Sequence, residues 1–158
     1  METTENIKVV EVVGDKSRYM SLLLLGDESE SMIGRYLDCS NLYVGASAET
    51  PVAVCAVLSV DAETVEVKNL AVRPEFRRRG IGAQMLRFVE DLHPGKTVIL
   101  GTGETPSTLR FYFSCGYTYS HRVPGFFTDN YPDPIVEEGV RLCDMVYLKK
   151  RIQCARFD

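Results

Sequence analysis

Three consecutive arginines, Arg77, Arg78 and Arg79, run straight into Gly80-Ile81-Gly82, and helical spacing follows. A helix start leaves several backbone N–H groups without intrahelical partners, and its aligned peptide dipoles add a partial charge of about +0.5. Glycines at 80 and 82 carry no side chain to hold a ligand away from those groups. Arginine adds fixed charge and a fork of donors. The chemistry on offer is anion capture, and a pyrophosphate suits the seat. No Lys-Ser or Lys-Thr follows Gly82, so this is not a Walker loop, and glycines at 80 and 82 alone do not make GxGxxG. An R-x-x-G-x-G pattern remains. A solvated glycine turn and a nucleic-acid handle compete for the same residues.

Charge weighs against the nucleic-acid use. The 158 residues carry 18 Lys and Arg against 22 Asp and Glu, a net charge of −4, whereas a general nucleic-acid binder is expected to be basic. The length suits a single domain over 1–158, and 45% hydrophobic residues suffice for a real core. Five cysteines at 39, 55, 115, 143 and 154 form no CxxC pair, and only His93 and His121 could join them, so no metal site is expected. Cys55 and Cys143 lie in apolar, strand-like runs and read as reduced core residues. The start, METTENIKVV, is unlike a secretory signal, and YMSLLLLG is too short to span a bilayer, so a cytoplasmic protein is expected, without membrane or nucleic-acid partners.

The elements that must position the arginine turn follow from hydrophobic period. Strands are expected at 7–13, 41–48, 51–60 and 64–72, the middle pair joined tightly at Glu49-Thr50. Residues 15–25 and 28–37 read as short helices broken at Gly26-Asp27. Met85, Phe88, Val89 and Leu92 recur at three and four residues, which makes 82–92 helical. A buried strand at 97–103 follows, then a helix capped by Thr105, opened by Pro106 and stopped at Gly116, then strands at 117–123 and 141–150. Strand–helix–strand from 64 to 103 calls for a parallel neighbour amid antiparallel pairs. The expected fold is α/β: a mixed, mostly antiparallel twisted sheet of about seven strands, with about four helices on both faces.

With these elements in place, NLAVRPEFRRRGIGAQML together with STLRFYFSCGY resembles the GNAT superfamily of acyl-CoA-dependent N-acyltransferases. The resemblance implies that Arg77, Arg78, Arg79, Gly80, Ile81, Gly82 and Ala83 hold the pyrophosphate of coenzyme A. It implies that Leu70, Ala71 and Val72 pair with the pantetheine arm, with a backbone N–H near Leu70 holding the oxyanion. Tyr112 falls at the family tyrosine beside the thioester sulfur, where a phenol can protonate the departing thiolate. Glu66, four residues before Leu70, falls where a carboxylate base is often found; a solvent-facing strand residue is the other reading. The family's asparagine seven residues before the tyrosine is Thr105 here, a departure that leaves its contact to the cofactor open.

Between the last two strands, VPGFFTDNYPDPIVEEGV holds Asp129, Asp133, Glu137 and Glu138 with no Lys or Arg, beside Phe126, Phe127 and Tyr131. In the family this segment overhangs the acceptor. Phe126, Phe127, Asp129 and Tyr131 are therefore the expected substrate contacts, and an acidic, aromatic wall favours a cationic amine; a solvated acidic loop is the alternative. The expectation is acetyl transfer from acetyl-CoA to the primary amine of a small molecule by direct attack in a ternary complex. A non-catalytic acyl-CoA sensing domain is the alternative, and the reading leaves room for a homodimer.

Overall fold

The computed structural model describes residues 4–154. A seven-stranded sheet carries the fold: β1 (Lys8–Glu11), β2 (Asn41–Ser47), β3 (Thr50–Ser59), β4 (Thr64–Val72), β5 (Thr97–Thr102), β6 (Thr118–Val123) and β9 (Met145–Arg151). Its order is β1-β2-β3-β4-β5-β9-β6, and among the described residues only the β4–β5 pair is parallel. The mixed, mostly antiparallel sheet expected from the sequence is present. The strand expected at 141–150 begins only at Met145; ahead of it a small hairpin of β7 (Val136–Glu137) and β8 (Val140–Arg141) turns through Glu138 and Gly139, both at positive φ. Cys143 consequently lies exposed outside any strand, contrary to the core position expected for it, while Cys55 is fully buried.

One face of the sheet is covered by α3 (Ile81–Asp91), whose Ile81, Met85, Leu86 and Val89 pack on Val65, Val67, Val98, Leu100, Val146 and Leu148. Burying each large apolar side chain there stabilises the fold by roughly 1.5–3 kcal/mol. Helix α4 (Pro106–Ser114) lies on the same side, with Leu109, Phe111 and Tyr112 against this core. The opposite face is covered over β2, β3 and the end of β4 by α1 (Met20–Gly26) and α2 (Glu30–Gly34), through Leu22, Leu23, Ile33, Val44, Val54 and Ala71. Both are shorter than expected. A 3₁₀ turn precedes α1, and Ser29 starts α2 late by accepting the Met32 N–H. The β2–β3 turn falls at Ala48-Glu49, one residue early, with both residues at positive φ as a two-residue hairpin turn requires.

Two irregularities create the site. Ala56 opposes Asn69 and Val57 opposes Val67, so Lys68 is an extra residue that bulges β4. In addition, β4 pairs with β5 only from Thr64↔Thr97 to Val67↔Leu100. Beyond that point the two strands part, and the second half of β4 is left without a neighbour on the β5 side.

Candidate active site

The arginine turn starts where β4 ends. After a 3₁₀ turn at Pro74–Phe76, Arg77 is extended, Arg78 takes φ 62° and Gly80 takes φ 76°, which brings the chain into the first turn of α3. Residues 77–80 are exposed, and Ile81 anchors the turn by its buried side chain. Among the described residues, no hydrogen bond takes up the backbone N–H groups of residues 78 to 83. Arg77, Arg78 and Arg79 line a cavity of about 570 Å³ with Thr4, Glu5 and Asn6. Arg79 is bound within the chain, to Glu5 Oε2 at 2.7 Å, while its carbonyl accepts the Glu5 N–H at 2.9 Å. Arg77 Nε donates to the Val72 carbonyl at 3.4 Å, which leaves Arg78 as the guanidinium without a protein partner among the described residues. Ala83 is exposed on the first turn.

The two glycines do different things. A side chain at Gly80 would meet only Thr4, at 3.6 Å, whereas a Cβ at Gly82 would lie 3.0 Å from Phe111 Cζ. At Gly82, α4 packs an aromatic ring against the bare position, a steric demand separate from the cofactor contact expected there.

Main-chain direction along β4 sorts the next group. The Arg73 N–H donates to Val52 at 2.8 Å, so by strand alternation Ala71 also faces β3, while Leu70 and Val72 turn their N–H and C=O groups into the gap left by β5. Ala71 thus spends its main chain within the sheet, unlike its two neighbours. Tyr112 lies half-buried on α4, its ring edge-on to Phe111 and Tyr117 at 5.0 and 6.0 Å. Its hydroxyl makes no hydrogen bond among the described residues, and burial holds the phenol's pKa well above its ordinary value. The hydroxyl is an unspent donor. Thr105 opens α4 but does not cap it; buried, it donates instead to Thr108 Oγ1 at 2.8 Å.

The sheet face opposite α3 carries the remaining groups. Val65 and Val67, and Val146 and Leu148, point toward α3, so Glu66 and Tyr147 project from the other side. Tyr147 donates to Glu66 Oε2 at 3.1 Å, and Lys68 Nζ lies 3.1 Å from the same oxygen. His121 stacks on Tyr147 at 4.6 Å. Burial and the Glu66 carboxylate push the Tyr147 phenol up to about 12. Neither Tyr147 nor Lys68 was expected in the site; alternation through MVYLKK and VEVKN, read across the sheet, is the signal that would have found them.

Helix α5 (Phe126–Asn130), absent from the sequence reading, gathers the aromatic wall. Phe126 and Phe127 meet edge to face at 5.3 Å, and Tyr131 lies 5.8 Å from Phe127. Tyr131 donates to Asp27 Oδ1 at 2.7 Å, which ties this wall to the joint between α1 and α2. Asp129 is exposed and folds back over Gly125, so the carboxylate beside Tyr131 is Asp27, which the sequence reading missed. Glu138 accepts from Ser107 at 2.7 Å, at the start of α4.

Residues 38–119 match the family described as Acetyltransferase (GNAT) domain. An uncharacterized N-acetyltransferase of Bacillus subtilis is 29% identical over 133 residues, covering 80% of this chain and 84% of that protein. A GNAT family acetyltransferase from Elizabethkingia anophelis, crystallised with acetyl-CoA bound, superposes with a TM-score of 0.86 at 30% identity, over 94% of this chain and all of its own. A Bacillus subtilis acetyltransferase in complex with CoA gives 0.83 at 26% identity, over 93% and 99% of the two chains. The chain belongs to the GNAT acetyltransferases, enzymes that draw their acetyl group from acetyl-CoA.

Proposed function

We propose that this acetyltransferase modifies the primary amine of a small molecule, by direct attack within a ternary complex. One observation carries the reading: unspent N–H donors open on the α3 side of the sheet, a paired carboxylate stands on the other, and the β4–β5 gap joins them. Acetyl-CoA supplies an activated thioester. The free amides of residues 78 to 83, with Arg77 and Arg78, hold its pyrophosphate, and Leu70 and the N–H of Val72 offer main-chain groups to the pantetheine arm. The residues present fit that group, since Gly80 leaves the turn open and no protein acceptor competes for the amides among the described residues.

The acceptor then enters from the α1/α2 side. An aliphatic amine with a pKa of about 10.4 arrives protonated, so a base must act first. Glu66 takes that proton through water, oriented by Tyr147. The Leu70 N–H faces the carbonyl oxygen as negative charge develops there. Tyr112 Oη gives its proton to the departing sulfur, a role open to it because its hydroxyl donates to no other group among the described residues. Asp27, Glu28 and the ring cluster of Phe126, Phe127 and Tyr131 draw a positively charged amine to the entrance.

Thiol release from acetyl-CoA across a panel of amines, alongside CoA binding by calorimetry, tests this. Amine-dependent release supports the reading. CoA binding without release on any amine overturns it.

A further inference from the structure

We infer that the acceptor carries an anionic group beside its amine, and that Lys68 is the residue that selects it. This rests on the proposed function, since it names the class of molecule the same site takes.

Lys68 is the residue inserted by the β4 bulge. Its side chain stays on the face of Glu66, two positions along the strand, and Nζ sits 5.6 Å above the ring of Tyr36, just past the end of α2. An ammonium has three N–H donors. One goes to Glu66 Oε2; the others make no hydrogen bond among the described residues, and the side chain is 26% exposed. Lys68 therefore has donors to spare, on the floor where the acceptor amine must lie when Glu66 receives its proton.

The geometry has a chemical consequence. The reacting ends of the two side chains, Glu66 Oε2 and Lys68 Nζ, lie 3.1 Å apart, so the adjacent ammonium and carboxylate of an amino acid can meet one each. A purely cationic acceptor would set a second positive charge against Lys68, whereas a carboxylate would complete its unfilled donors. The acidic residues Asp27 and Glu28 at the rim attract the ammonium end, so the two ends of a zwitterion are read by different parts of the site. Lys68 acts as a specificity residue, and its neighbour Glu66 is released to act on the amine when the carboxylate takes over its ammonium partner.

Paired acceptors test this by thiol release: phenylalanine against phenethylamine, and lysine against 1,5-diaminopentane. The wild-type chain is expected to favour the carboxylate-bearing member by at least 10-fold in kcat/KM in one pair or both. Lys68→Met should lose that preference mainly through KM and gain on the diamine, while Lys68→Arg should retain it. Turnover without preference, or a preference untouched in Lys68→Met that still binds CoA, overturns this inference and leaves the amine reading standing. Absence of turnover on all four compounds, with CoA bound, counts against both.

Discussion

Tyr147 reaches Glu66 by lying across a bare residue of the strand between them: its ring covers Gly101, its register partner on β5, and its hydroxyl donates to Glu66 Oε2 at 3.1 Å. A Cβ at Gly101 would collide with Met145 Sδ and lie 3.1 Å from Tyr147 Cζ. Gly101→Val should therefore displace the tyrosine. We expect a fall in kcat/KM of about 10-fold or more with CoA affinity within a factor of three, and a loss of stability of about 1–3 kcal/mol from overpacking. Calorimetric CoA titration beside steady-state rates checks both. Unaltered turnover in this variant would remove Tyr147 from the proton path.

Tyr112 makes a sharper kinetic prediction. Its hydroxyl has no protein partner among the described residues, so Tyr112→Phe should leave the packing against Phe111 and Tyr117 intact. Turnover is expected to drop by about 10²–10⁴ while CoA binding changes little. A rate equal to wild type would mean that the phenol only packs.

Gly82 and Phe111 form a separable pair. Gly82→Ala should lower stability through the 3.0 Å approach to Phe111, before any effect on the cofactor. Adding Phe111→Leu should restore the melting temperature, and CoA titration of the double variant then reports whether the bare position also matters to the ligand. In contrast, Arg78→Ala should weaken CoA binding by about 10-fold with no change in melting temperature, because that guanidinium has no protein partner among the described residues.

Alkaline titration reads the aromatic core. Six of the eight tyrosines, Tyr36, Tyr43, Tyr112, Tyr117, Tyr131 and Tyr147, have pKa values raised chiefly by burial. In the unfolded chain they ionise near the ordinary value of about 10. Between that pH and the higher folded values, the native state binds more protons than the unfolded one, so stability falls as pH rises above about 10. Absorbance at 295 nm should show fewer phenolates in the native protein than in urea at pH 11. Equal numbers would contradict the burial of these rings.

Lys150 bridges three elements: Nζ donates to Glu90 Oε1 at 2.8 Å and to the Cys115 carbonyl at 2.8 Å, while Tyr117 donates to Glu90 Oε2 at 3.0 Å. Lys150→Met leaves the nearly buried Glu90 carboxylate with one partner and the last turn of α4 untied. A destabilisation of about 1–3 kcal/mol in urea unfolding is expected. The double variant Lys150→Met, Glu90→Leu should recover much of it, since the stranded charge is then gone.

The sequence by itself determined the sheet's strands, the parallel step from β4 to β5 and the arginine turn, because each rests on local period or backbone freedom. Pro106 and Gly116 bounded α4. Helix α5 and the β7–β8 hairpin were not legible: their few residues carry no period, and Phe126 and Phe127 are held by contact with Tyr131. Only the tertiary structure decided what shares a space. Glu66 and Tyr147 lie 81 positions apart, and Asp27 and Tyr131 lie 104 apart, so neither pair leaves a trace in any window of the chain. The bulge at Lys68 likewise depends on how β3 lines up against β4, a register fixed by burial of Val65, Val67 and Ala71 on opposite faces rather than by the residues of β4 alone.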